Sequence, residues 1–288
     1  MDKKIILITG SSDGIGKITA TALAKQGHCV IIHGRNEAKV RGVVEAIKLA
    51  SGNDAIDYVV ADLLSLQQVK AMAMELTSRY GYLDVLINNA GAIFGKERKL
   101  SVDGFEQTIA LNLLAPFLLI KLLLPSLQKS RSGRIINLYS AMHRRAGRPD
   151  LSDFNLERNF RTDRAYGLSK LYLVWLTRSF HQLFQKEGLS NLTINACHPG
   201  AVASNFGQDA DKGFLMNSIF KMALYFMAKP EQGAGTSIYL ASSPEVEGLS
   251  GNFYDAKAKL EKPDDRYYSE ENAKIVWDFC DRSTKAFL

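Results

Sequence analysis

The sequence has little cysteine, with three residues among 288. Cys29, Cys197 and Cys280 are far apart, and no Cys-x-x-Cys or Cys/His spacing is present. The sequence therefore gives no indication of a metal site or a disulfide framework, and the sparse, odd count is typical of a reducing compartment. Cys29 and Cys197 lie in apolar runs that are predicted to be strands, so packing is the better interpretation of both.

The sequence also lacks a lysine tract or basic arm, although 36 lysines and arginines against 30 acidic residues give a net charge of +6. This mild excess suits a small anionic ligand and does not indicate nucleic-acid binding. No signal peptide is predicted, because the first apolar run begins about three residues after Met1. The longest apolar stretch, 111–124, includes Asn112, Pro116 and Lys121 and is shorter than the roughly 20 residues of a membrane span. We therefore expect a buried helix there, no transmembrane anchor and a cytoplasmic location.

Short apolar runs alternate with helical patterns along the sequence. Strands are predicted near 4–9, 28–33, 56–61, 83–87, 133–138, 191–197 and 251–254, and helices near 14–26, 37–50, 65–79, 101–128, 164–187, 230–242 and 269–284. This alternation is typical of βαβ units, and strands that are apolar almost throughout are typical of a parallel sheet covered on both faces. No repeat or linker is found. The sequence therefore predicts one α/β domain over 1–288, a doubly wound parallel sheet of about seven strands.

A glycine-rich stretch, TGSSDGIGK at 9–17, follows the first predicted strand and opens the first predicted helix. At such a junction the main-chain N–H groups and the positive end of the helix dipole face one point, which favours a phosphate. The spacing G-x-x-x-G-x-G is weak evidence alone, but in this strand–turn–helix context it favours dinucleotide binding over a merely structural turn. The loop residues expected at the cofactor are Gly10, Ser12, Asp13, Gly14, Ile15 and Gly16.

The second predicted strand ends in His33-Gly34-Arg35-Asn36. An NAD site usually places an acid here for the ribose 2′-hydroxyl, whereas Arg35 can pair with a 2′-phosphate and Lys17 can add a second positive charge. The sequence therefore predicts Arg35 and Asn36 as cofactor residues and NADP(H) as the cofactor. The alternative is a solvent-exposed Arg35 with no ligand.

Four further motifs follow in order. They are Asn88-Asn89-Ala90-Gly91 after the fourth strand, Ser140 after the fifth, Tyr166-Gly-Leu-Ser-Lys170 at the start of the next helix, and His198-Pro199-Gly200 after the sixth strand. With the TGxxxGxG loop, this set resembles the short-chain dehydrogenase/reductase superfamily of the single-domain Rossmann type, over about residues 4–255. Within it the sequence is similar to the retinol dehydrogenase-like, or WW-domain oxidoreductase-like, group, because Tyr166 follows Ser140 at an interval of 26 positions. Neither the N-terminal anchor of membrane-bound members nor a WW-domain extension is expected.

The resemblance implies a catalytic group of Asn112, Ser140, Tyr166 and Lys170. An alkoxide that forms when a carbonyl is reduced needs a proton, which Tyr166 can supply. A free tyrosine has a pKa near 10, too high for efficient acid–base work at neutral pH, and Lys170 on the same helical face is expected to lower it. By resemblance, Lys170 also holds the nicotinamide ribose, Ser140 polarises the substrate carbonyl, and Asn112 holds a water between Lys170 and solvent.

The resemblance also implies further cofactor contacts. These are Asp62 and Leu63 at the adenine, Asn89, Ala90 and Gly91 at the adenosine ribose, Tyr166 and Lys170 at the nicotinamide ribose, and Pro199, Gly200 and Val202 at the carboxamide. Asp62 is alternatively the cap of the helix that follows, although Ser65 is the better cap. Asn88 is expected to tie neighbouring strands together.

Two segments lie outside these motifs. The arginine-rich insert 141–164 is expected to be mainly a solvated loop with surface ion pairs, with recognition of an anionic substrate group as the alternative. His143 lies in it and is given no catalytic role. The segment 204–229 is rich in Phe, Met and Leu and is expected to cover a hydrophobic pocket, with core helices or a membrane-surface patch as alternatives.

These observations predict an NADP(H)-dependent oxidoreductase that moves a hydride between nicotinamide and a carbonyl or alcohol, with a lipophilic aldehyde, ketone or retinoid- or steroid-like substrate. One alternative is a reductase of a polar biosynthetic ketone. Another is a non-catalytic NADP(H)-binding sensor or scaffold, against which the complete catalytic set argues. The expected partner is a small molecule and not a nucleic acid, while peripheral membrane contact and the choice between monomer and homodimer stay open.

Overall fold

Strands and helices alternate along the chain, and the computed structural model describes residues 2–200 and 230–288. The strands are β1 (Ile5–Ile8), β2 (Cys29–Gly34), β3 (Ile56–Val60), β4 (Val85–Asn88), β5 (Gly133–Leu138), β6 (Leu192–Cys197) and β7 (Phe253–Tyr254). The helices are α1 (Gly14–Lys25), α2 (Glu37–Ser51), α3 (Leu66–Arg79), α4 (Gln107–Gln128), α5 (Thr162–Lys186), α6 (Pro230–Ser242) and α7 (Glu270–Thr284). Each predicted strand is present within two residues of its predicted ends. The segment 204–229 and Val202 lie outside the described residues.

The seven strands form one parallel sheet in the order β3-β2-β1-β4-β5-β6-β7. The chain starts in the middle of the sheet, winds to one edge and then returns to build the other half. This reversal places the ends of β1 and β4 side by side, with Ile8 opposite Ile87. The predicted doubly wound α/β fold is confirmed, and ligands of such sheets bind at the carboxyl ends of the strands near this reversal.

The two faces of the sheet carry separate hydrophobic cores. Along β1, Ile6 and Ile8 pack on one side with residues of α1, α2 and α6, whereas Leu7 packs on the other with α3, α4, α5 and α7. All three side chains are fully buried. Alternation of side chains with a period of two sends neighbouring residues to opposite faces, so a strand between two helical layers must be apolar at nearly every position.

Helix α4 begins later than the predicted 101–128. The chain turns at Gly104, which has a φ of +83°, and helix α4 starts after Glu106. The buried Glu106 carboxylate accepts two main-chain N–H groups of the first helical turn, at 2.9 and 3.0 Å. A single π-helical turn covers Ala110–Leu114. The apolar pattern located this helix but not its cap, because a glutamate cap differs from the usual Ser, Thr, Asp or Asn.

By length and composition alone, the 22-residue helix α4 is apolar enough to cross a membrane. In the fold, 72% of its most apolar 18-residue window is buried, and the helix packs against α3 and the central strands. Core packing therefore accounts for its hydrophobicity, as predicted.

Aromatic side chains fasten α7 to the helices beneath it. The Trp277 ring centroid lies 5.1 Å from that of Phe117 in α4 and 4.8 Å from that of Phe180 in α5. Phe154 of the insert stacks on Phe279 at 4.1 Å. The insert carries surface ion pairs as expected, such as Arg158 with Asp150 and Arg161 with Asp163. The stacking of Phe154 on Phe279 also anchors the insert to the core, which the sequence did not indicate.

Candidate active site

The glycine-rich loop after β1 packs too closely on the end of β4 to carry side chains at two positions. A Cβ on Gly10, whose φ is +64°, would lie 2.9 Å from Ala90 Cα. A Cβ on Gly16 would lie 2.5 Å from Asn89 Nδ2 and 2.6 Å from the Gly10 carbonyl oxygen. Gly14 has a φ of +52° and faces open space among the described residues. The start of α1 is thus left open to a ligand, in the manner of a phosphate cradle.

Asn89 and Thr9 hold this loop by its main chain. Asn89 Nδ2 donates to the carbonyls of Thr9 (2.8 Å) and Gly10 (3.2 Å). The Ala90 N–H donates to Thr9 Oγ1 at 3.0 Å. The resemblance implied only a contact of Asn89 with the cofactor ribose, whereas in the structure its amide also binds the main chain of the glycine-rich loop.

His33 fastens the same loop from β2 and was not singled out from the sequence. Its Nδ1 accepts the Gly10 N–H at 2.9 Å, and its Nε2 donates to the Ala61 carbonyl at 3.1 Å. Its own N–H donates to Ser11 Oγ at 3.0 Å. Burial lowers the His33 pKa to about 4, against a smaller opposing effect of the bond to Ala61. The imidazole is therefore neutral near pH 7, with its proton on Nε2.

The residues after β2 surround the mouth of the loop. Asn36 caps α2 by accepting the Lys39 N–H at 2.9 Å, and Asp13 caps α1 and pairs with Lys39 Nζ at 2.6 Å. A Cβ on Gly34 would lie 2.7 Å from Ser12 Oγ. Arg35 is exposed and has no acidic partner within residues 2–200 and 230–288. Its guanidinium is thus available beside the loop.

Asp62 and Leu63 lie just past the end of β3. The Asp62 carboxylate accepts the Leu64 N–H at 3.0 Å, while Ser65 caps α3 by accepting the N–H of Gln68. Ser65 is therefore the helix cap, as predicted, and Leu63 is buried. An adenine contact by either residue stays a prediction.

Helix α5 brings Tyr166 to Ser140. A hydrogen bond links their side chains, and Ser140 Oγ also caps the short turn Ala141–Arg145 by accepting the Met142 N–H at 3.2 Å. The close approach of helix and turn depends on Gly167, where a Cβ would lie 3.0 Å from Ala146 Cα. The YxxxK spacing did not indicate that position 167 must be a glycine.

Lys170 lies one turn further along α5, with only 4% of its surface exposed. Its Nζ donates to the Leu138 carbonyl at 2.9 Å and lies 5.8 Å from the centroid of the Tyr166 ring. Burial lowers the Lys170 pKa to about 8. Burial raises the Tyr166 pKa to about 12, although its bond with Ser140 opposes this. The Tyr166 pKa therefore shifts in the direction opposite to the expected one, because burial of the phenol raises it.

Asn112 is fully buried in the π-helical turn of α4. Its Nδ2 donates to the Ala92 carbonyl (3.0 Å) and to Ser169 Oγ (3.2 Å), and its Oδ1 accepts the Ala92 N–H at 3.0 Å. A Cβ on Gly91 would lie 3.1 Å from Asn112 Oδ1 and 3.3 Å from Lys170 Nζ. Asn112 thus joins the loop after β4 to α5 beside the lysine, and its role toward a water stays a prediction.

Two further predictions concern the ends of β4 and β6. Asn88 Nδ2 donates to Asn137 Oδ1 at 2.9 Å, so Asn88 ties β4 to β5 as expected. Pro199 and Gly200 follow β6 at the same edge of the sheet, and Gly200 has a φ of +77°.

The arrangement suits a nicotinamide dinucleotide. At one end, close-packed glycines and a helix start leave room for a diphosphate beside an arginine that has no acidic partner among the described residues. At the other end, a buried tyrosine and a buried lysine lie with a half-buried serine at the carboxyl edge of the same sheet. The fold and these groups define a class of dinucleotide-dependent oxidoreductases.

Comparison with known proteins gives the family. The sequence profile of the short chain dehydrogenase family matches residues 4–213, and this chain belongs to that family. Retinol dehydrogenase 14 of Homo sapiens is 34% identical over 296 residues, which covers 98% of this chain and 86% of that protein. Polyprenol dehydrogenase of Homo sapiens is 36% identical over 256 residues, which covers 87% of this chain and 76% of that protein.

The fold is matched as well. A protein from Mycobacterium Paratuberculosis has a TM-score of 0.77 to this structure at 27% identity, covering 98% of this chain and 93% of that chain. The resemblance to the retinol dehydrogenase-like group is therefore confirmed. The family is one of oxidoreductases that use a nicotinamide cofactor.

Proposed function

We propose that this protein is an NADP(H)-dependent oxidoreductase that moves a hydride between nicotinamide and the carbonyl or alcohol carbon of a lipophilic small molecule. The observation that carries this proposal is the group of Ser140, Tyr166 and Lys170, in which a buried tyrosine is bonded to a serine beside a buried lysine amine. Burying a lysine is costly, and such perturbed groups gather at functional sites. A protein that only sensed the cofactor would not need this arrangement.

When bound, the nicotinamide supplies or accepts the hydride. In the reduction, Ser140 and Tyr166 donate hydrogen bonds to the substrate oxygen and stabilise the negative charge that develops there. Tyr166 then gives its phenolic proton to that oxygen as a general acid. Because burial raises the Tyr166 pKa, the phenol carries its proton at neutral pH and is in the acid form before the transfer.

Lys170 restores the proton to the tyrosine. Its amine lies 5.8 Å from the centroid of the Tyr166 ring, where its charge stabilises the phenolate left after proton transfer. With a pKa of about 8, the ammonium gives up a proton more readily than an exposed lysine does. Asn112 is assigned the water that carries protons from solvent to Lys170, and its bonds to Ala92 and Ser169 fix it beside that path.

The cofactor is assigned to the carboxyl edge of the sheet. Its diphosphate is assigned to the loop and the start of α1, and Arg35 to the 2′-phosphate, supported by the exposure of that side chain beside the loop. The residues assigned to the cofactor are Gly10, Ser12, Asp13, Gly14, Ile15, Gly16, Arg35, Asn36, Asp62, Leu63, Asn89, Ala90, Gly91, Tyr166, Lys170, Pro199, Gly200 and Val202.

The substrate class follows from the relatives and the sequence. Two relatives that match most of this chain are named for retinol and polyprenol, both lipophilic alcohols. The segment 204–229 of this chain is rich in Phe, Met and Leu, which suits an apolar substrate. We therefore favour a lipophilic substrate over a polar biosynthetic ketone.

A coupled assay tests this proposal. The purified protein is given NADPH with a panel of lipophilic and polar aldehydes and ketones, and NADP⁺ with the matching alcohols, and the absorbance of the reduced nicotinamide is followed. We expect turnover of lipophilic members and a preference for NADPH over NADH. Tight NADPH binding without turnover of any member would instead support a sensor or scaffold, and turnover of polar ketones alone would support the biosynthetic alternative.

A further inference from the structure

A carboxylate from the C-terminal part of the chain lies at the carboxyl edge of the sheet and binds three donors. Glu261 follows β7, and its Oε2 accepts hydrogen bonds from the Tyr139 hydroxyl (3.2 Å) and from His198 Nε2 (2.7 Å). Its Oε1 pairs with the Arg144 guanidinium. Burial alone would raise the Glu261 pKa, but Arg144 and His198 outweigh it and hold the pKa below its ordinary value. The carboxylate is therefore ionised, with both oxygens engaged.

The three donors come from the two loops that flank the proposed site. Tyr139 and Arg144 lie on either side of Ser140, which caps the turn that contains the arginine. His198 lies in the loop after β6, immediately before the Pro-Gly pair assigned to the nicotinamide. One carboxylate thus joins the serine turn to the nicotinamide loop.

His198 links Glu261 to the main chain of the loop after β6 through the two nitrogens of its ring. Its Nδ1 accepts the Gly200 N–H at 3.1 Å, so the ring proton is on Nε2, facing the carboxylate. Gly200 has a left-handed φ of +77° and packs against the same C-terminal segment. A Cβ on Gly200 would lie 3.1 Å from the Ala256 methyl carbon. The orientation of the imidazole and the direction of the Gly200 N–H are therefore fixed together.

The C-terminal segment contacts the serine turn a second time. The Asp264 N–H donates to His143 Nε2 at 3.0 Å, and His143 Nδ1 donates to the Ser140 carbonyl at 2.6 Å. Arg266 donates to the Arg144 carbonyl at 2.6 Å. Both loops therefore contact a segment that lies beyond the residues matched by the family profile.

Building on the function proposed above, we propose that Glu261 is a positioning residue that holds His198, and through it Gly200, in alignment with the Ser140 turn. Both carboxylate oxygens are bound by protein donors, so Glu261 is assigned no direct contact with the cofactor or the substrate. It fixes the position of the loop that borders the nicotinamide relative to the serine that polarises the carbonyl. A misplacement of about 1 Å between reacting groups costs on the order of 100-fold in rate, so a small loosening of this link is measurable.

Glu261→Gln tests the proposal, because glutamine keeps the size of the side chain and removes its charge. We expect kcat to fall roughly 10- to 100-fold, while the KM for NADPH changes less than about threefold, because the phosphates are bound at the far end of the site. Asp265→Asn is the matched control. Asp265 pairs with Arg178 at 2.6 Å in the same segment and has no bond to either loop among the described residues. Asp265→Asn is expected to lower the melting temperature about as much as Glu261→Gln does and to leave kcat unchanged.

A second readout needs neither substrate nor turnover. Imidazole nitrogen NMR of the unliganded wild-type protein is expected to show His198 with its proton on Nε2. In Glu261→Gln that tautomer should be partly lost, and the Gly200 amide should exchange with solvent roughly tenfold faster than in Asp265→Asn.

The outcomes separate the two proposals. A His198 proton on Nδ1 in the wild type, or His198 signals unchanged in Glu261→Gln, would overturn the role of Glu261 whatever the enzyme reduces. If no carbonyl in the assay is reduced, only the proposed function is overturned. The NMR result still tests whether Glu261 positions His198 and Gly200. If Glu261→Gln does not fold, the wild-type tautomer and the corresponding spectra of Glu261→Asp give the same decision.

Discussion

The two ends of the candidate site are built in opposite ways. At the cofactor end, the loop after β1 is shaped by missing side chains and by neutral groups such as His33 and Asn89 that bind its main chain. At the catalytic end, ionisable side chains are buried and their pKa values are displaced, to about 12 for Tyr166 and about 8 for Lys170. The cofactor end is therefore sensitive to added side-chain volume, whereas the catalytic end is sensitive to the loss of a single polar atom.

The largest expected effect is at the catalytic end. Tyr166→Phe removes one oxygen and leaves the ring in place, so kcat for carbonyl reduction should fall about 1,000-fold, as expected for loss of a general acid. The Kd for NADPH should stay within about twofold by fluorescence titration, and the melting temperature should change little.

Tyr172→Phe is the matched control for that substitution. Tyr172 is a buried tyrosine on the same helix that packs against Phe154 and Trp175, and loss of its hydroxyl should leave kcat unchanged. Equal kcat values for Tyr166→Phe and the wild type would remove Tyr166 from the mechanism.

At the cofactor end, added volume is expected to do the damage. Gly16→Ala places a methyl group 2.5 Å from Asn89 Nδ2 and 2.6 Å from the Gly10 carbonyl oxygen, which cannot move without distorting the loop. We expect a loss of about 3 kcal/mol in the free energy of unfolding, measured with urea, and NADPH binding at least tenfold weaker.

Gly42→Ala in α2 provides the comparison, because a Cβ there meets nothing within 4 Å among the described residues. The same substitution should therefore stabilise the protein by about 1 kcal/mol through helix propensity alone. Similar behaviour of the two variants would show that the contacts at Gly16 do not constrain the loop.

A third prediction concerns acid sensitivity at the cofactor end. His33 has a pKa of about 4 in the folded protein and about 6.5 when unfolded, so between these values the unfolded chain binds more protons. Stability is therefore fully present above pH 6.5 and is lost as the pH falls toward 4, with a loss of about 2 kcal/mol at pH 5.

Urea unfolding between pH 4.5 and 7.5 measures this loss. His33→Asn, whose amide does not titrate, should remove about that much of the pH dependence. An identical pH dependence in the variant and the wild type would contradict a neutral, buried His33.

The smallest expected effect is on cofactor choice. Arg35→Ala should lower the preference for NADPH over NADH roughly tenfold in kcat/KM, as expected for loss of one charge-assisted contact to a phosphate. Lys48→Ala on the outer surface of α2, where Lys48 pairs with Glu45 at 3.5 Å, should leave the ratio unchanged. An unchanged ratio in Arg35→Ala would assign the 2′-phosphate elsewhere.

The sequence was enough to locate the strands, because strands buried on both faces are apolar runs that stand out from helical patterns. It was also enough to indicate which residues meet at the carboxyl edge, since Tyr166 and Ser140 follow from a motif and a strand end. The start of α4 was missed, because Glu106 is an unusual cap.

Contacts between distant parts of the chain could not be predicted in the same way. The bonds from His33 to Gly10 and from His198 to Glu261 span 23 and 63 residues. No local pattern encodes them, because they exist only once the strand order is known. The direction of the Tyr166 pKa shift was predicted wrongly for a related reason, because the burial of a side chain depends on the packed fold.

The packing of α7 has a consequence for how the protein is made. This helix is synthesised after α4, α5 and the insert, yet Trp277 and Phe279 complete the apolar layer over them. Until α7 has left the ribosome, Phe117 and Phe180 lack their cover, and exposed apolar surface of this kind favours aggregation. Chaperone shielding in that interval should therefore raise the yield of functional protein.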